Sequence, residues 1–206
     1  MRIKICGITN YEDAKLCCDL GADALGFIFY EKSKRCVNID EAKTIIEKLP
    51  AFISKIGVFV NEDSKKINEI AHEIKLIGIQ LHGEESPEFV QQIYLPVIKA
   101  FRVNNDFGFS ITDKYHGCKF MFDTHSKSEY GGTGQAFDWE IIPMNLRKSI
   151  IIAGGISASN IEFIFKTIKP EAVDVSSSLE ISPGIKDESK IKSFFEIFNS
   201  LRRQQC

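Results

Sequence analysis

The chain has 206 residues, a length typical of one domain, and 44% of them are hydrophobic and 26% charged. This composition excludes disordered, collagen-like and coiled-coil proteins, and a net charge of -2 lacks the single-sign field that binds nucleic acid or an anionic membrane. The apolar run at 24–30 is far shorter than the about 20 residues of a membrane span, and the N-terminus has no signal-peptide core, so we expect a cytoplasmic protein.

Cysteine and histidine usage argues against disulfides and metal. The six cysteines lie at positions 6, 17, 18, 36, 118 and 206 without a Cys-x-x-Cys pair, and the four histidines are scattered. Disulfide scaffolds are shorter and richer in cysteine, and metal ligands usually share close spacings. We therefore expect free thiols in a reducing compartment and no metal site.

Eight short apolar runs recur along the chain, as is typical of parallel strands buried on both faces. They cover residues 2–6, 24–29, 55–60, 77–81, 97–101, 119–122, 149–152 and 172–175.

The segments between these runs often carry helical spacing. Apolar residues fall at i, i+3, i+4 and i+7 from Ile67, from Ile161 and from Ile191. Residues 104–117 carry two glycines and little periodicity, which predicts mostly loop. Helix-start signals occur at Asn10, Asp40, Ser86, Ser157 and Asp187.

Strands that alternate with helices form right-handed βαβ units and a parallel sheet. Eight such units, with no linker between them, predict a single-domain (β/α)8 TIM barrel over residues 1–206, compact and with short loops. A doubly wound open sheet is the alternative. It normally carries a glycine-rich fingerprint after the first strand, and this chain has none there.

Catalytic groups of a barrel lie where its strands end, at the C-terminal face. Cys6 ends the first predicted strand, where a thiolate is able to act as a base or nucleophile. Asp123 ends the sixth, and a carboxylate directly after a buried run favours an acid-base role. The alternatives are a buried thiol in a tight turn and a carboxylate in a cap or salt bridge.

Two further residues follow strands at the same end. Arg35, in the basic loop after the second strand, has the planar fork that binds a carboxylate or phosphate, although a charged loop is more often simply solvated. His82 follows the fourth strand and either lines the pocket or caps the strand.

A phosphate site is predicted after the last two strands. Gly154 and Gly155 follow the seventh strand, and Ser176, Ser177 and Ser178 follow the eighth. In many barrels the loops at these two positions, with a short extra helix, bind phosphate through backbone amides. The two signals together favour a phosphorylated small-molecule ligand over two ordinary turns.

A glycine-rich segment with Gly131, Gly132 and Gly134 follows the sixth strand. It lacks the Gly-Lys-Ser/Thr ending of a P-loop and the third glycine of a dinucleotide fingerprint. We interpret it as a lid next to Asp123.

Several motifs, in order along nearly the whole chain, resemble those of the phosphoribosylanthranilate isomerase family of tryptophan biosynthesis. They are KICGIT at 4–9, SKR at 33–35, GVFVN at 57–61, QLHG at 80–83, FD at 122–123, GGTG at 131–134, AGGI at 153–156, DVSS at 174–177 and SPGIKD at 182–187. Each motif is weak alone, and together they are specific.

The resemblance implies a role for each matching position. Cys6 is then the general base, Asp123 the general acid and Arg35 the partner of the anthranilate carboxylate, whereas Gly155 and the turn at 176–177 hold the sugar phosphate. Ser178 departs from the family, which usually has glycine there. The implied reaction is an Amadori rearrangement of an aminoaldose to an aminoketose, which needs neither cofactor nor metal.

Two other interpretations remain open from sequence. A sister barrel that isomerises an aminoaldose of histidine biosynthesis shares the barrel and the phosphate site, but we expect a carboxylate in place of Cys6 there. A phosphate sensor or scaffold without catalysis is disfavoured by the presence of both Cys6 and Asp123. The expected partner is the phosphorylated sugar, and the chain is either a monomer or a homodimer.

Overall fold

In the computed structural model, which describes residues 1–124 and 138–204, the eight predicted strands form a closed parallel barrel in sequence order. The strands are β1 (Arg2–Cys6), β2 (Ala24–Ile28), β3 (Ser54–Phe59), β4 (Gly78–Leu81), β5 (Val97–Val103), β6 (Cys118–Thr124), β7 (Ile150–Ile152) and β8 (Ala172–Val175). Because β8 pairs with β1, the sheet has no free edge. The predicted (β/α)8 fold is confirmed.

Helices of uneven length cover the barrel. The α-helices are α1 (Tyr11–Leu20), α2 (Ile39–Glu47), α3 (Ser64–Glu73), α4 (Pro87–Val90), α5 (Met144–Arg147), α6 (Ile161–Phe163) and α7 (Glu188–Arg203). A π-helix, Ile164–Ile168, continues α6, and 3-10 helices occupy Phe109–Lys114, Trp139–Ile141 and Ser177–Leu179. No helix in the described part of the chain is long and apolar enough to cross a bilayer.

Three predicted helix starts are confirmed, since the side chains of Asn10, Ser86 and Asp187 accept hydrogen bonds from the first turns of α1, α4 and α7. The predicted start at Asp40 is wrong. Asn38 caps α2 and forms a reciprocal capping box with Glu41, so the helix begins before Asp40.

The strands of the barrel have an apolar outer face, packed under the helices, and a more polar face toward the barrel axis. Ile3 and Ile5 of β1 are buried in the large apolar layer under the helices, whereas the alternate residues Lys4 and Cys6 face the barrel axis. On the outer side, α7 contributes three fully buried phenylalanines, Phe194, Phe195 and Phe198. The axis is therefore where polar groups gather.

A two-stranded hairpin follows β8. Its strands are β9 (Glu180–Ser182) and β10 (Ile185–Lys186), paired antiparallel. The sequence analysis did not predict this hairpin, and it carries residues that hold the site together.

Candidate active site

A pocket of about 350 Å³ opens at the carboxyl ends of the barrel strands. Most of the predicted site residues line it: Cys6, Arg35, His82, Asp123, Gly154, Gly155, Ser176 and Ser177. Residues from six strand ends thus converge on one cavity, as the barrel architecture requires.

Cys6 ends β1 with its side chain in the pocket and is only 6% exposed. Burial raises the pKa of the thiol, and the positive charge of Lys4 acts in the opposite direction. The net pKa lies above the usual cysteine value, so the resting form near neutral pH is the thiol. A base at this position needs a nearby cation to stabilise its thiolate.

Asp123 lies on β6 and is buried, with its Oδ2 3.2 Å from Nε2 of His82. Gln80, two residues before His82 on β4, places its amide nitrogen 2.8 Å from the other ring nitrogen, Nδ1. An amide donor at Nδ1 puts the ring proton on Nε2, toward Asp123. In the described part of the chain, Nε2 makes no hydrogen bond of regular geometry, so it remains able to contact a bound ligand.

Arg35 lines the pocket from the loop after β2, and Glu180 of the hairpin fixes its orientation. Its Nε lies 2.9 and 3.0 Å from the two carboxylate oxygens and its Nη2 lies 2.8 Å from Oε2. This is the bidentate geometry that gives an arginine a defined direction. The side chain of Glu180 is 4% exposed, so the pair is almost fully desolvated.

Lys186 shares the carboxylate of Glu180 and anchors the hairpin beneath the site. Its ammonium is fully buried and donates to Oε1 of Glu180 at 3.0 Å and to the carbonyl oxygen of Cys6 at 2.7 Å. Burial alone raises the pKa of Glu180, but the hydrogen bond from Arg35 and the charge of Lys186 outweigh it and leave the pKa below its usual value. The carboxylate is therefore ionised and ties the β1 end to the hairpin.

The turn after β7 contains two glycines in a conformation that other residues rarely adopt. Gly154 and Gly155 have φ angles of 80° and 68°, in the left-handed region that favours glycine. The expected helix start at Ser157 is wrong, because the side chain of Asn160 binds the backbone of both Gly155 and Ser157 and holds a turn there. The helix begins only at Ile161, so the amides available to a phosphate belong to the turn.

The serines after β8 divide into two roles. Ser176 and Ser177 line the pocket, and the hydroxyl of Ser176 donates to the carbonyl oxygen of Cys6 at 3.1 Å. Ser178 does not line it, because its hydroxyl donates to the carbonyl oxygen of Ile156 at 2.5 Å. Ser178 thus links the two predicted phosphate turns.

Some predictions concern residues beyond this geometry. The glycines of the predicted lid, Gly131, Gly132 and Gly134, lie outside the described residues, so the lid stays a prediction. Cys206 also lies outside them. The other five cysteines are free thiols. Across residues 1–124 and 138–204, no group of histidine, cysteine and acidic side chains is arranged to hold a metal ion.

Sequence reasoning missed the buried charges around the site. Lys4, Asp174 and Lys186 are at most 8% exposed, and the hairpin that carries Lys186 was not predicted at all. A signal was present for the first two, because Lys4 lies between Ile3 and Ile5, and Asp174 lies between two valines. A charge inside a buried run implies a partner on a neighbouring strand.

The chain is similar to known proteins along nearly its whole length. The family model described as N-(5'phosphoribosyl)anthranilate (PRA) isomerase matches residues 3–197. A protein of Pelobacter propionicus named N-(5'-phosphoribosyl)anthranilate isomerase is 44% identical, with 99% of this chain and 98% of that protein aligned.

Two solved structures extend the likeness to three dimensions. A phosphoribosyl anthranilate isomerase in complex with reduced 1-(o-carboxyphenylamino)-1-deoxyribulose 5-phosphate is 38% identical, with a TM-score of 0.87 over 97% of this chain and 99% of that one. Monomers made from the dimeric enzyme of Thermotoga maritima are 36% identical, with a TM-score of 0.84 at the same coverage. The chain therefore belongs to the N-(5'-phosphoribosyl)anthranilate isomerase family.

Proposed function

We propose that this protein converts N-(5'-phosphoribosyl)anthranilate into 1-(2-carboxyphenylamino)-1-deoxyribulose 5-phosphate, an aldose-ketose isomerisation of tryptophan biosynthesis. The observation that carries the proposal is that Cys6 and Asp123 line one pocket with the two predicted phosphate turns. The family and its characterised relatives, one of them bound to a reduced product analogue, support the same reaction.

The strand order supports the assignment of an acid and a base. β1, which carries Cys6, and β6, which carries Asp123, are separated around the barrel by β7 and β8 on the shorter side. The phosphate turns follow those two intervening strands, whereas Arg35 and His82 follow β2 and β4 on the longer side. A substrate with its phosphate at Gly155 and Ser177 and its carboxylate toward Arg35 then presents its sugar between Cys6 and Asp123.

The proposed chemistry is proton transfer within this arrangement. The carboxyl group of Asp123 donates its proton to the ring oxygen, the bond from C1 to that oxygen breaks, and the nitrogen lone pair forms the protonated imine. The thiolate of Cys6 removes the proton on C2, and the C–H electrons form the C1–C2 double bond while the imine nitrogen becomes neutral. The resulting enolamine gains a proton at C1 and loses its hydroxyl proton to give the ketone, so no net oxidation occurs.

Turnover tests this proposal directly. We expect the purified protein to consume phosphoribosylanthranilate, monitored by loss of its fluorescence. We expect Cys6→Ser to lose most of kcat because a hydroxyl is far less acidic than a thiol, and Asp123→Asn to lose orders of magnitude in kcat because an amide has no acidic proton to donate. Near-normal turnover by either variant, in a protein shown to be folded, removes that residue from the mechanism.

The two rival functions give different outcomes in the same experiment. An isomerase of the histidine pathway leaves phosphoribosylanthranilate unchanged and turns over its own aminoaldose. A sensor binds the phosphorylated sugar without turnover. Cys6 at the end of β1, where the rival enzyme is expected to carry a carboxylate, favours the proposed substrate.

A homodimer is the proposed assembly. Phe52, Ile77 and Tyr94 are exposed by 101%, 50% and 87%, and they precede the neighbouring strands β3, β4 and β5 at the barrel face opposite the pocket. Exposed apolar residues on one face favour self-association, and the Thermotoga maritima relative is described as dimeric. Light scattering after size exclusion tests this, with Phe52→Asp expected to give monomers. A wild-type monomer at all concentrations refutes it.

The cytoplasmic location also stays a proposal. Its support is the free thiol of Cys36, which is exposed and which an oxidising compartment would put at risk of modification. Fractionation of cells that produce the protein tests it, with activity expected in the cytosolic fraction.

A further inference from the structure

A buried lysine inside the barrel has no part in the proton transfers described above. Lys4 lies on the inward face of β1, two residues before Cys6, and is 4% exposed. An ammonium group removed from water is costly unless anions or acceptors surround it. Its position beneath the pocket therefore needs an explanation in terms of its partners.

Asp174 is the first partner. The β1–β8 register places Lys4 directly opposite Asp174, and Nζ lies 2.9 Å from Oδ2. Burial raises the pKa of Asp174, and the charge of Lys4 opposes that rise. The second carboxylate oxygen, Oδ1, is buried without a hydrogen bond in the described part of the chain. Asp174 thus holds the ammonium of Lys4 from one side, through one of its oxygens. The remaining N–H groups of the ammonium are free to point toward other groups.

Cys6 is the second partner. The ammonium of Lys4 lies within about 6 Å of the sulfur, because both atoms lie next to the same point beside Gly26, and its positive charge favours the ionised form of Cys6. Gly26 of β2 is in register with Cys6, and a Cβ there would lie 2.8 Å from Sγ and 2.9 Å from Nζ. A side chain at this position would displace both groups, so glycine at 26 provides the space in which the thiol and the ammonium meet.

Three charged groups face the thiol. Lys4 and Lys186 favour its ionised form, whereas Asp174 disfavours it. Lys186 is already engaged by the carboxylate of Glu180 and by the carbonyl oxygen of Cys6. Lys4 is therefore the cation that faces the sulfur across the space left by Gly26.

We propose that Lys4 is a positioning residue that stabilises the thiolate of Cys6, with Asp174 holding its ammonium in place. The ammonium offsets the desolvation of the sulfur, so a larger fraction of Cys6 is ionised at neutral pH than the buried site alone allows. This electrostatic interaction between Lys4 and Cys6 is independent of the reaction, and its catalytic consequence rests on the proposed function, in which Cys6 is the base.

The pH dependence of Cys6 alkylation tests the interaction between Lys4 and Cys6 without any substrate. Cys6 lines the pocket, so iodoacetamide reaches it, and peptide mass spectrometry separates its modification from that of the other thiols. We expect Lys4→Met to raise the inflection point of the alkylation rate against pH by about one unit or more. This corresponds to an about tenfold smaller thiolate fraction at a given pH. The same variant should lower kcat/KM near neutral pH about tenfold with KM little changed.

Two further variants keep the test decisive. Lys4→Met leaves Asp174 buried without its counter-charge, so the double variant Lys4→Met/Asp174→Asn removes both charges, and its inflection should rise as well. Lys119→Met is the matched control, since this strand lysine is 55% exposed and pairs with Glu171 at the surface. It should leave the inflection and the kinetics unchanged.

The outcomes separate this proposal from the proposed function. Inflections equal to wild type in both folded Lys4 variants overturn the role of Lys4, even if Cys6→Ser is inactive. If the alkylation inflection is raised in the Lys4 variants but Cys6→Ser turns over normally, the interaction between Lys4 and Cys6 is supported. Cys6 is then refuted as the base.

Discussion

Glu180 holds one fully buried cation, Lys186, and one largely buried cation, Arg35, so its replacement by glutamine is the most informative perturbation of the site. The carboxylate accepts hydrogen bonds from Arg35 and Lys186, whose side chains are 12% and 0% exposed. Glutamine has nearly the same shape but no charge, and its amide nitrogen meets a donor where an oxygen accepted before. The variant therefore tests the charge of Glu180 with little change in packing.

The structure sets the expected magnitude. Removing one partner of a buried ion pair costs roughly 3–5 kcal/mol, because the remaining charge stays buried and uncompensated. In a chain of this size each kcal/mol corresponds to about 2–4 °C, so we expect Glu180→Gln to lower Tm by about 10 °C. Arg35 also loses its bidentate partner, so we expect KM to rise more than kcat falls.

Thermal unfolding followed by circular dichroism measures the first effect and steady-state kinetics the second. Glu171→Gln is the matched control. Glu171 also pairs with two cations, Arg2 and Lys119, but their side chains are 66% and 55% exposed. Surface pairs contribute at most about 1 kcal/mol, so Tm should change by a few degrees at most and KM not at all. Equal effects of the two substitutions would refute the reasoning.

The ion pairs of Glu180 also predict how stability depends on pH in the acid range. The pKa of Glu180 is lower in the folded protein, so its stabilisation is present above the pKa of an unfolded glutamate and is lost as pH falls through the folded value. The Tm difference between wild type and Glu180→Gln should therefore shrink as pH falls below the usual glutamate range. A constant difference at all pH values contradicts an ionised Glu180.

Three further predictions concern the pocket. Gly155→Val should raise KM about tenfold or more, because φ at Gly155 is 68° and a β-branched residue there distorts the turn; an unchanged KM argues against the phosphate site. Gly26→Ala should lower kcat in a folded protein, because its Cβ would approach the sulfur of Cys6 to 2.8 Å, and normal kinetics would show that the contact is dispensable. Since burial raises the pKa of Cys6, its alkylation by iodoacetamide should still accelerate with pH above the usual cysteine range; an alkylation rate that levels off by neutral pH excludes a raised pKa.

The hydrophobic pattern of the sequence was enough to predict the barrel and the end at which the pocket opens. Parallel strands buried on both faces require apolar runs, and those runs ended close to the observed strand ends, as at Cys6 and Val175. Residues that follow such runs must lie at one end of a barrel, which is why Arg35, His82 and Gly155 reached one pocket.

Two predicted helix starts were wrong because neighbouring residues make the capping or turn hydrogen bonds instead. Asp40 and Ser157 are good caps by residue type, but Asn38 forms the capping box of α2, and Asn160 holds the turn after β7. Several residues at each start are able to cap a helix, and the surrounding backbone decides which one does.

Only the closed barrel decided the partners of the buried charges. Lys4 and Asp174 are 170 residues apart in sequence, and Arg35 and Glu180 are 145 apart. Which charge faces which depends on the β1–β8 register and on where the hairpin packs, and neither leaves a periodic signal in the sequence. The hydrophobic pattern thus predicted the strands and the end of the barrel at which the pocket opens. Each strand leaves its own pattern of apolar residues, which is recognisable without knowing its neighbours. Pairing of buried ions needs two distant segments at once, so the tertiary structure alone determined it.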